Sequence, residues 1–261
     1  MVERQRQGVQ SVEIGATVLA TLAQAGRALS LKEIAALSGL AAAKAHRYLV
    51  SLGRAGLVEQ LGGEGGRYDL GEQALRIGLA ALGRLDAQRL AQEALVALGR
   101  AVDQTVLVAV WNGTGAVITR WVESSRPITV NVREGSVMSP LLSASGRVFA
   151  AYRRDAEMQA VLQEGFDRGV QPTHFGKKLD RIGFAQLLDD IRQTGMARVS
   201  GDNLAGVDAL AAPIFDHHGV VVMVMAVLGP HHTLAIDWHG APAQALREAA
   251  RSLSQRLGWP G

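Results

Sequence analysis

Residues 31–60 read LKEIAALSGLAAAKAHRYLVSLGRAGLVEQ, and the fold of the N-terminal third turns on how they are parsed. Ser30 and Glu33 make an S-x-x-E capping box, so a helix starts at Leu31 and runs through Ile34, Ala35 and Leu37 to Ser38. Gly39 breaks it with a residue that tolerates positive φ. A further helix follows from about Ala42 to Arg54, burying Ala45, Tyr48, Leu49 and Leu52, and Gly56 ends it.

Two helices that cross closely need small residues where they touch. Ala35 supplies one on the first helix and Ala45 the other on the second, with Gly39 between them and Ile34, Leu40 and Tyr48 around them. Ser38 is polar where an apolar residue is more usual. The second helix then turns Ala42, Ala43, Lys44, His46, Arg47 and Val50 outward. A DNA major groove is about 12 Å wide and admits one α-helix. Small residues at the helix start allow close approach to base edges, and Lys44, His46 and Arg47 can reach a guanine or a phosphate. No Ser, Thr, Asn or Asp stands at the expected N-cap of this helix. The plain alternative is a helical bundle with solvated charges.

Upstream, residues 9–26 place Val12, Ala16, Leu19, Ala20 and Ala23 at helical spacing. Downstream, LVEQL and RYDL alternate as short strands around the Gly-rich turn GGEGG. Three helices followed by a two-stranded ribbon outline a winged helix-turn-helix over residues 9–71. Arg67 and the ribbon tip are placed along an adjacent DNA backbone. Arg4 and Arg6 form an arm able to enter a minor groove. From Glu72 a helix runs to about Leu85 as a linker, and a second reaches Ala101. The first carries apolar residues on more than one face, which points to contact with another subunit.

The chain then changes character. TVLVAVWNGTGAVITRWVES predicts a hairpin turning at Asn112 and Gly113, and PITVNV predicts another strand. GSVMSPLLSASGRVFAAY is a loop feeding a helix from about Ala144, and MQAVLQEG is helical. FDRGVQPTHF is irregular, and FAQLLDDIRQTG is an amphipathic helix. MARVS, DALAAPIFD and GVVVMVMAVLG are strands, and APAQALREAARSLSQRLG is a closing helix. Strands joined by hairpins and interleaved with helices give an α+β domain around an antiparallel sheet over residues 86–258.

Composition narrows the function. The chain of 261 residues suits two domains and lacks cysteine, which removes disulfides, thiolate metal sites and a cysteine nucleophile. The first residues carry no signal-peptide pattern, and no run approaches the ~18–20 apolar residues of a membrane span. A cytoplasmic protein is expected. The formal charge is only +3, and residues 1–71 hold eight Lys/Arg against six Asp/Glu, so a basic face must come from placement. The pairs His217/His218 and His231/His232 flank a ten-residue strand and lie ~30 Å apart, too far to share one metal. NGTGAV, GGEGG and LSASG each lack part of a nucleotide or nucleophile motif. Asp189 and Asp190 point apart on one helix. No catalytic set, metal site or cofactor motif is expected.

Ser143, Ala144, Ser145 and Gly146 sit at a loop-to-helix junction. Free N–H groups and the helix dipole there favour an anion such as a carboxylate. A serine cap with a packing glycine explains the same residues without a ligand. Trp111 and Trp121 flank the hairpin turn, where they either line a pocket or cover the sheet.

Taken in order, LKEIAALSGLAAAKAHRYLVSLGRAGLVEQ with RYDLG, then TVLVAVWNGTGAVITRWVES, MSPLLSASGRVFAAY and GVDALAAPIFDHHGVVVMVMAVLGP resemble the IclR family of bacterial transcriptional regulators over residues 9–257. The resemblance implies a winged helix-turn-helix, a linker helix over 72–85 and a GAF/PAS-like sensor domain. It implies a homodimer or tetramer, a palindromic double-stranded operator and a small-molecule effector, commonly an organic acid or aromatic compound. Carried onto this sequence, the effector positions are Met138, Leu142, Ala144, Ser145, Gly146, Val199 (or its neighbour Ser200), Ala209, Ala226 and Leu228, with Phe149 nearby. Relatives that sense small polar acids place short polar side chains on the final strands, whereas these positions are apolar. An aromatic or larger apolar acid therefore fits better than pyruvate or glyoxylate. The competing reading is a metabolite sensor whose helical N-terminus serves protein partners.

Overall fold

A computed structural model of the chain describes residues 8–62, 66–125 and 132–261. Two compact units divide between Leu85 and Asp86.

The first unit contains α1 (Gln10–Ala25), α2 (Leu31–Ser38), α3 (Ala42–Arg54), the antiparallel ribbon β1 (Val58–Leu61) and β2 (Arg67–Leu70), and α4 (Glu72–Leu82). The capping box forms as the spacing requires: Glu33 N–H donates to Ser30 Oγ, and Ser30 N–H donates to Glu33 Oε2 at 2.8 Å. Gly39 takes φ +68°, and both its N–H and that of Leu40 donate to the Ala35 carbonyl. Ser38 answers its polarity locally, donating to the Ile34 carbonyl at 2.6 Å. Val18, Leu22, Leu29, Ile34, Leu49, Val58 and Tyr68 build the core, and Leu29 bridges to Tyr68 beside the ribbon. α1 forms where expected but turns another face inward. Gly15, Val18 and Leu22 are buried, while Val12, Ala16, Ala20 and Ala23 are exposed. The two stripes differ little in apolar content, and the large side chains Val18 and Leu22 go to the core.

Leu75, Ile77, Leu79 and Leu82 of α4 are all exposed, and none of its residues is buried. This helix stops at Leu82, short of the expected Leu85.

The second unit comprises α5 (Ala87–Val102), β3 (Thr105–Trp111), β4 (Ala116–Val122), β5 (Val137–Met138), α6 (Ala144–Tyr152), α7 (Ala156–Asp167), β6 (Thr173–His174), β7 (Lys177–Lys178), α8 (Arg181–Thr194), β8 (Ala197–Ser200), β9 (Val207–Phe215), β10 (Val221–Pro230) and α9 (Ala241–Arg256). Among the described residues its main sheet is antiparallel with strand order β5-β4-β3-β10-β9-β8. Side chains alternate between the two faces. Leu107, Ala109, Val224, Ala226 and Leu228 join a core with α6 and α8, whereas Val106, Val108, Met225 and Val227 are buried on the face that α5 and α9 cover. Pro213 is tolerated in β9 because β8 pairs only with residues 208–211.

Two local expectations are corrected. The β3–β4 turn is a four-residue loop, since Trp111 pairs with Ala116 and Asn112 Oδ1 gathers the N–H groups of Thr114 and Gly115. The stretch expected to be irregular, residues 166–175, ends in β6, which pairs with β7 just beyond it as a small hairpin. Most of PITVNV, Arg4, Arg6 and the centre of GGEGG lie outside the described residues.

Candidate functional site

In the first unit, α3 buries Ala45 and Leu49 and turns Ala42, Ala43, His46, Arg47 and Val50 to solvent, with Lys44 half-buried. Its N-cap is Ala41, with no side-chain cap, and the N–H groups of Ala42 and Ala43 have no partner among the described residues. An uncapped start leaves the positive end of the dipole open to solvent. Lys44, His46 and Arg47 make no ion pair among the described residues, so the Lys44 and Arg47 charges are available outward. Arg67, on β2, stays exposed and also has partners within its own unit. Its guanidinium donates to the Ala28 carbonyl at 3.1 Å and lies 3.9 Å from Glu33, tying the ribbon to the α2 cap. Glu33 also pairs with Arg27 at 3.0 Å. Hydrogen bonds from Ser30 backbone and side chain, and then from Arg27, draw the Glu33 pKa from 4.5 to about 2.

The second unit holds a small, partly open cavity, whose empty space is about 450 Å³ when the open solvent at its mouth is counted. Its floor is two adjacent rungs of the sheet. Val199, Ala209 and Leu228 form one row across β8, β9 and β10; Ala226, Leu107 and Trp121 form the next across β10, β3 and β4. Val132, Met138 and the start of α6 complete one side, and Asn203, Leu204 and Val207 the other. The polar side chains of the wall are Ser143, Ser145 and Asn203. Ser143 caps α6, accepting from Gly146 N–H at 3.0 Å and donating to the Ser139 carbonyl at 2.8 Å. The N–H groups of Ala144 and Ser145 and the Ser145 hydroxyl have no partner among the described residues.

Seven of the nine effector positions taken from the sequence therefore come together: Met138, Ala144, Ser145, Val199, Ala209, Ala226 and Leu228. Leu142 and Gly146 do not line the cavity. Leu142 packs on the surrounding core, and Gly146 is glycine for contact reasons, since a Cβ there would meet the Ser139 carbonyl oxygen at 2.2 Å. Phe149 is fully buried against Trp111, whose indole N–H donates to Glu157 Oε2 at 3.1 Å. Of the two tryptophans, only Trp121 reaches the cavity. Val199 is the wall residue and Ser200 is turned away to His231.

Behind the cavity lies a buried ion pair that the sequence did not disclose. Arg147 and Asp202 have side chains 0% and 1% exposed and stand 3.3 Å apart. Arg147 Nε also donates to the Leu141 carbonyl at 3.1 Å and Nη2 to the Thr173 carbonyl at 2.6 Å, while Thr173 Oγ1 donates to Asp202 Oδ1 at 2.6 Å. Burial pulls the Arg147 pKa down and Asp202 opposes it. Burial, and then Arg147 itself, lowers the pKa of neighbouring His174.

At one end of β10, His231 Nδ1 faces both Asp208 Oδ1 at 2.8 Å and Ser200 Oγ at 3.1 Å. Serine and carboxylate meet the same ring nitrogen, so the imidazole cannot relay a proton between them as in a catalytic triad. No group of three or more metal-ligating side chains occurs among the described residues, and no helix among them is long and apolar enough to cross a membrane.

Comparison with known proteins gives these units a lineage. Residues 11–62 match the IclR helix-turn-helix domain, and residues 79–255 match the bacterial transcriptional regulator IclR C-terminal domain. The chain is 34% identical to a glycerol operon regulatory protein of Streptomyces griseus, over 96% of this chain and 97% of that protein. It is 27% identical to the HTH-type transcriptional regulator XynR of Escherichia coli, over 97% and 98% of the two chains. The crystal structure of Pseudomonas aeruginosa HmgR superimposes with a TM-score of 0.84 at 34% identity, over 97% of this chain and 100% of that one. An IclR homolog from Microbacterium hydrocarbonoxydans, solved with 4-hydroxybenzoate, shares the fold with a TM-score of 0.57 at 20% identity, over 95% and 98%. These relatives are regulators of transcription rather than enzymes, and the protein described here, with both domains matched in order, belongs to the IclR family of bacterial transcriptional regulators.

Proposed function

We propose that this regulator grips operator DNA through the N-terminal half of α3 and responds to an aromatic or similarly apolar carboxylic acid held in the second unit. One observation carries the ligand class: a cavity with an apolar floor that ends against the unengaged N–H groups of Ala144 and Ser145 and the free Ser145 hydroxyl. A carboxylate placed there meets three donors and the positive end of α6, while its apolar body covers Ala226, Leu228 and Leu107. The walls offer little to a small, hydrophilic acid whose other end also needs hydrogen bonds. The 4-hydroxybenzoate bound by a protein of the same fold is consistent with such a ligand.

On the DNA side, Arg47 and Lys44 supply the cations and Ala42 and Ala43 the close approach; Arg4 and Arg6 extend the contact into a minor groove. Two copies assemble through the exposed Leu75, Leu79 and Leu82 of α4, which recur on one helix face. Dimer half-sites on DNA lie about 34 Å apart per helical turn, so a ligand that shifts the pairing of two copies changes operator affinity.

Thermal-shift screening of the full chain against carboxylic acids tests the ligand class. Stabilisation by benzoate-like acids and none by pyruvate or glyoxylate is expected; the opposite ranking refutes it. Binding of duplex DNA that weakens steeply with salt tests the DNA assignment.

A further inference from the structure

Apart from the Trp121 indole, the polar side chains of the cavity lie at two places, and only one of them is the α6 start. The other is Asn203, in the turn between β8 and β9. Asn203 lines the cavity, and its side-chain amide has no hydrogen-bond partner among the described residues. Turns tolerate an idle asparagine when it faces bulk water, but this one is half-buried, beside Leu204 and Val207. The amide keeps contact with solvent, so water satisfies it when no ligand is bound, and a ligand that covers it must replace those bonds or leave its donors and acceptors unmet.

The turn that carries Asn203 is fastened at its neighbour. Asp202 is buried and takes hydrogen bonds from Arg147 Nη1 and Thr173 Oγ1, and Arg147 is in turn anchored to the Leu141 carbonyl two residues before the α6 cap. Backbone bonds from Gly201 N–H to the Val207 carbonyl at 3.0 Å and from Val207 N–H to the Leu204 carbonyl at 3.1 Å close the turn on itself. The same buried guanidinium thus references Asn203 to the helix start that faces a carboxylate. A buried ion pair is a poor source of net stability compared with apolar packing, whereas it does fix geometry.

We infer that Asn203 is the specificity-determining residue of the cavity: it pairs with a second hydrogen-bonding group, a hydroxyl or carbonyl, borne by the apolar acid away from its carboxylate. Asp202, Arg147 and Thr173 are positioning residues that hold the amide in place. The inference rests on the proposal that the cavity binds an apolar carboxylic acid, and it narrows that class to hydroxylated or oxo-substituted members.

The test uses two probes of nearly equal size, 4-hydroxybenzoate and 4-methylbenzoate, titrated calorimetrically into the full-length protein. The wild type is expected to prefer the hydroxylated acid by about tenfold, the worth of one well-placed hydrogen bond in a partly dry site. Asn203→Leu keeps side-chain size, and its preference should fall to about twofold or less, with 4-methylbenzoate bound at least as tightly as before. Thr173→Val, which removes one bond to Asp202 without stranding a charge, should lower the preference partway. Because the readout is a ratio of two affinities in one protein, general loosening of the fold does not imitate it. An unchanged ratio in Asn203→Leu, or a wild type without preference, overturns the role of Asn203 while leaving the apolar-acid site intact. A wild type that binds neither probe but binds pyruvate overturns both. Should it bind no acid at all, both readings fall together.

Discussion

The starts of α3 and α6 are both built of short side chains, and they face opposite worlds. α3 starts at Ala42 and Ala43 in open solvent, uncapped, with Lys44, His46 and Arg47 close behind. α6 starts at Ala144 and Ser145, capped by Ser143, with every residue from 144 to 151 buried and its only cation consumed by Asp202 and two carbonyls. Both present free N–H groups at the positive end of a dipole. A helix start with mobile cations around it suits a polyanion whose charges are spread along a surface. The same device walled in by Ala226, Leu228 and Leu107 suits one carboxylate on an apolar body. What differs is the neighbourhood, and under the proposed function the neighbourhood selects the anion.

The sharpest way to break this comparison is Arg47→Ala. Loss of a groove-facing guanidinium should weaken operator binding about 10- to 100-fold, read by fluorescence anisotropy, and leave acid binding unchanged. A change in acid affinity of similar size would mean that the two helix starts do not act separately. Next in size is Ala209→Leu, which puts bulk into the floor of the cavity. It should weaken benzoate-like acids by about tenfold or more in calorimetry, while ligand-free DNA affinity holds. Ser145→Ala removes a single donor from the α6 start and is expected to cost about 1 kcal/mol of acid binding, roughly fivefold, without touching DNA.

Smaller effects sharpen the α3 side. Ser30→Ala removes the cap that begins the α2–α3 pair and should lower stability by about 1 kcal/mol in denaturant melts. The charge on Glu33 contributes in a pH-dependent way. Its pKa is depressed from 4.5 to about 2, so its stabilisation is complete above 4.5 and is lost as pH falls toward 2. Glu33→Gln keeps the capping geometry, so wild type and variant should differ in melting temperature at pH 6 and converge near pH 2. A gap that stayed constant down to pH 2 would assign the effect to shape rather than charge.

The parts of this fold that sequence disclosed are those set by local rules. A capping box, a glycine able to take positive φ and a run of small residues fixed α2 and α3, because each signal acts within a few residues of itself. β-branched runs marked β3 and β10 for the same reason. The face of α1 was misjudged because its candidate stripes are nearly equally apolar, and the choice falls to tertiary packing of Val18 and Leu22. The β6–β7 hairpin went unseen because strands of two residues carry no periodicity. In the cavity, the strand positions Val199, Ala209, Ala226 and Leu228 were legible by resemblance and alternation. Asn203, Leu204 and Val207 were not, since a turn residue gives no sign of which way it faces. Arg147 was hardest of all: on an amphipathic helix an arginine ordinarily marks the wet side, and only the fold reveals its three distant anchors.

Those anchors have a consequence for how the second unit comes apart. Arg147 takes its partners from positions 6, 26 and 55 residues away along the chain. Withdrawing the turn after β8 removes the counter-charge of a buried guanidinium, and withdrawing either of the other segments leaves one of its N–H groups unpaired. The loop before α6, the small hairpin and the turn after β8 must therefore arrive and leave as one, and hydrogen exchange in all three should follow a single opening event.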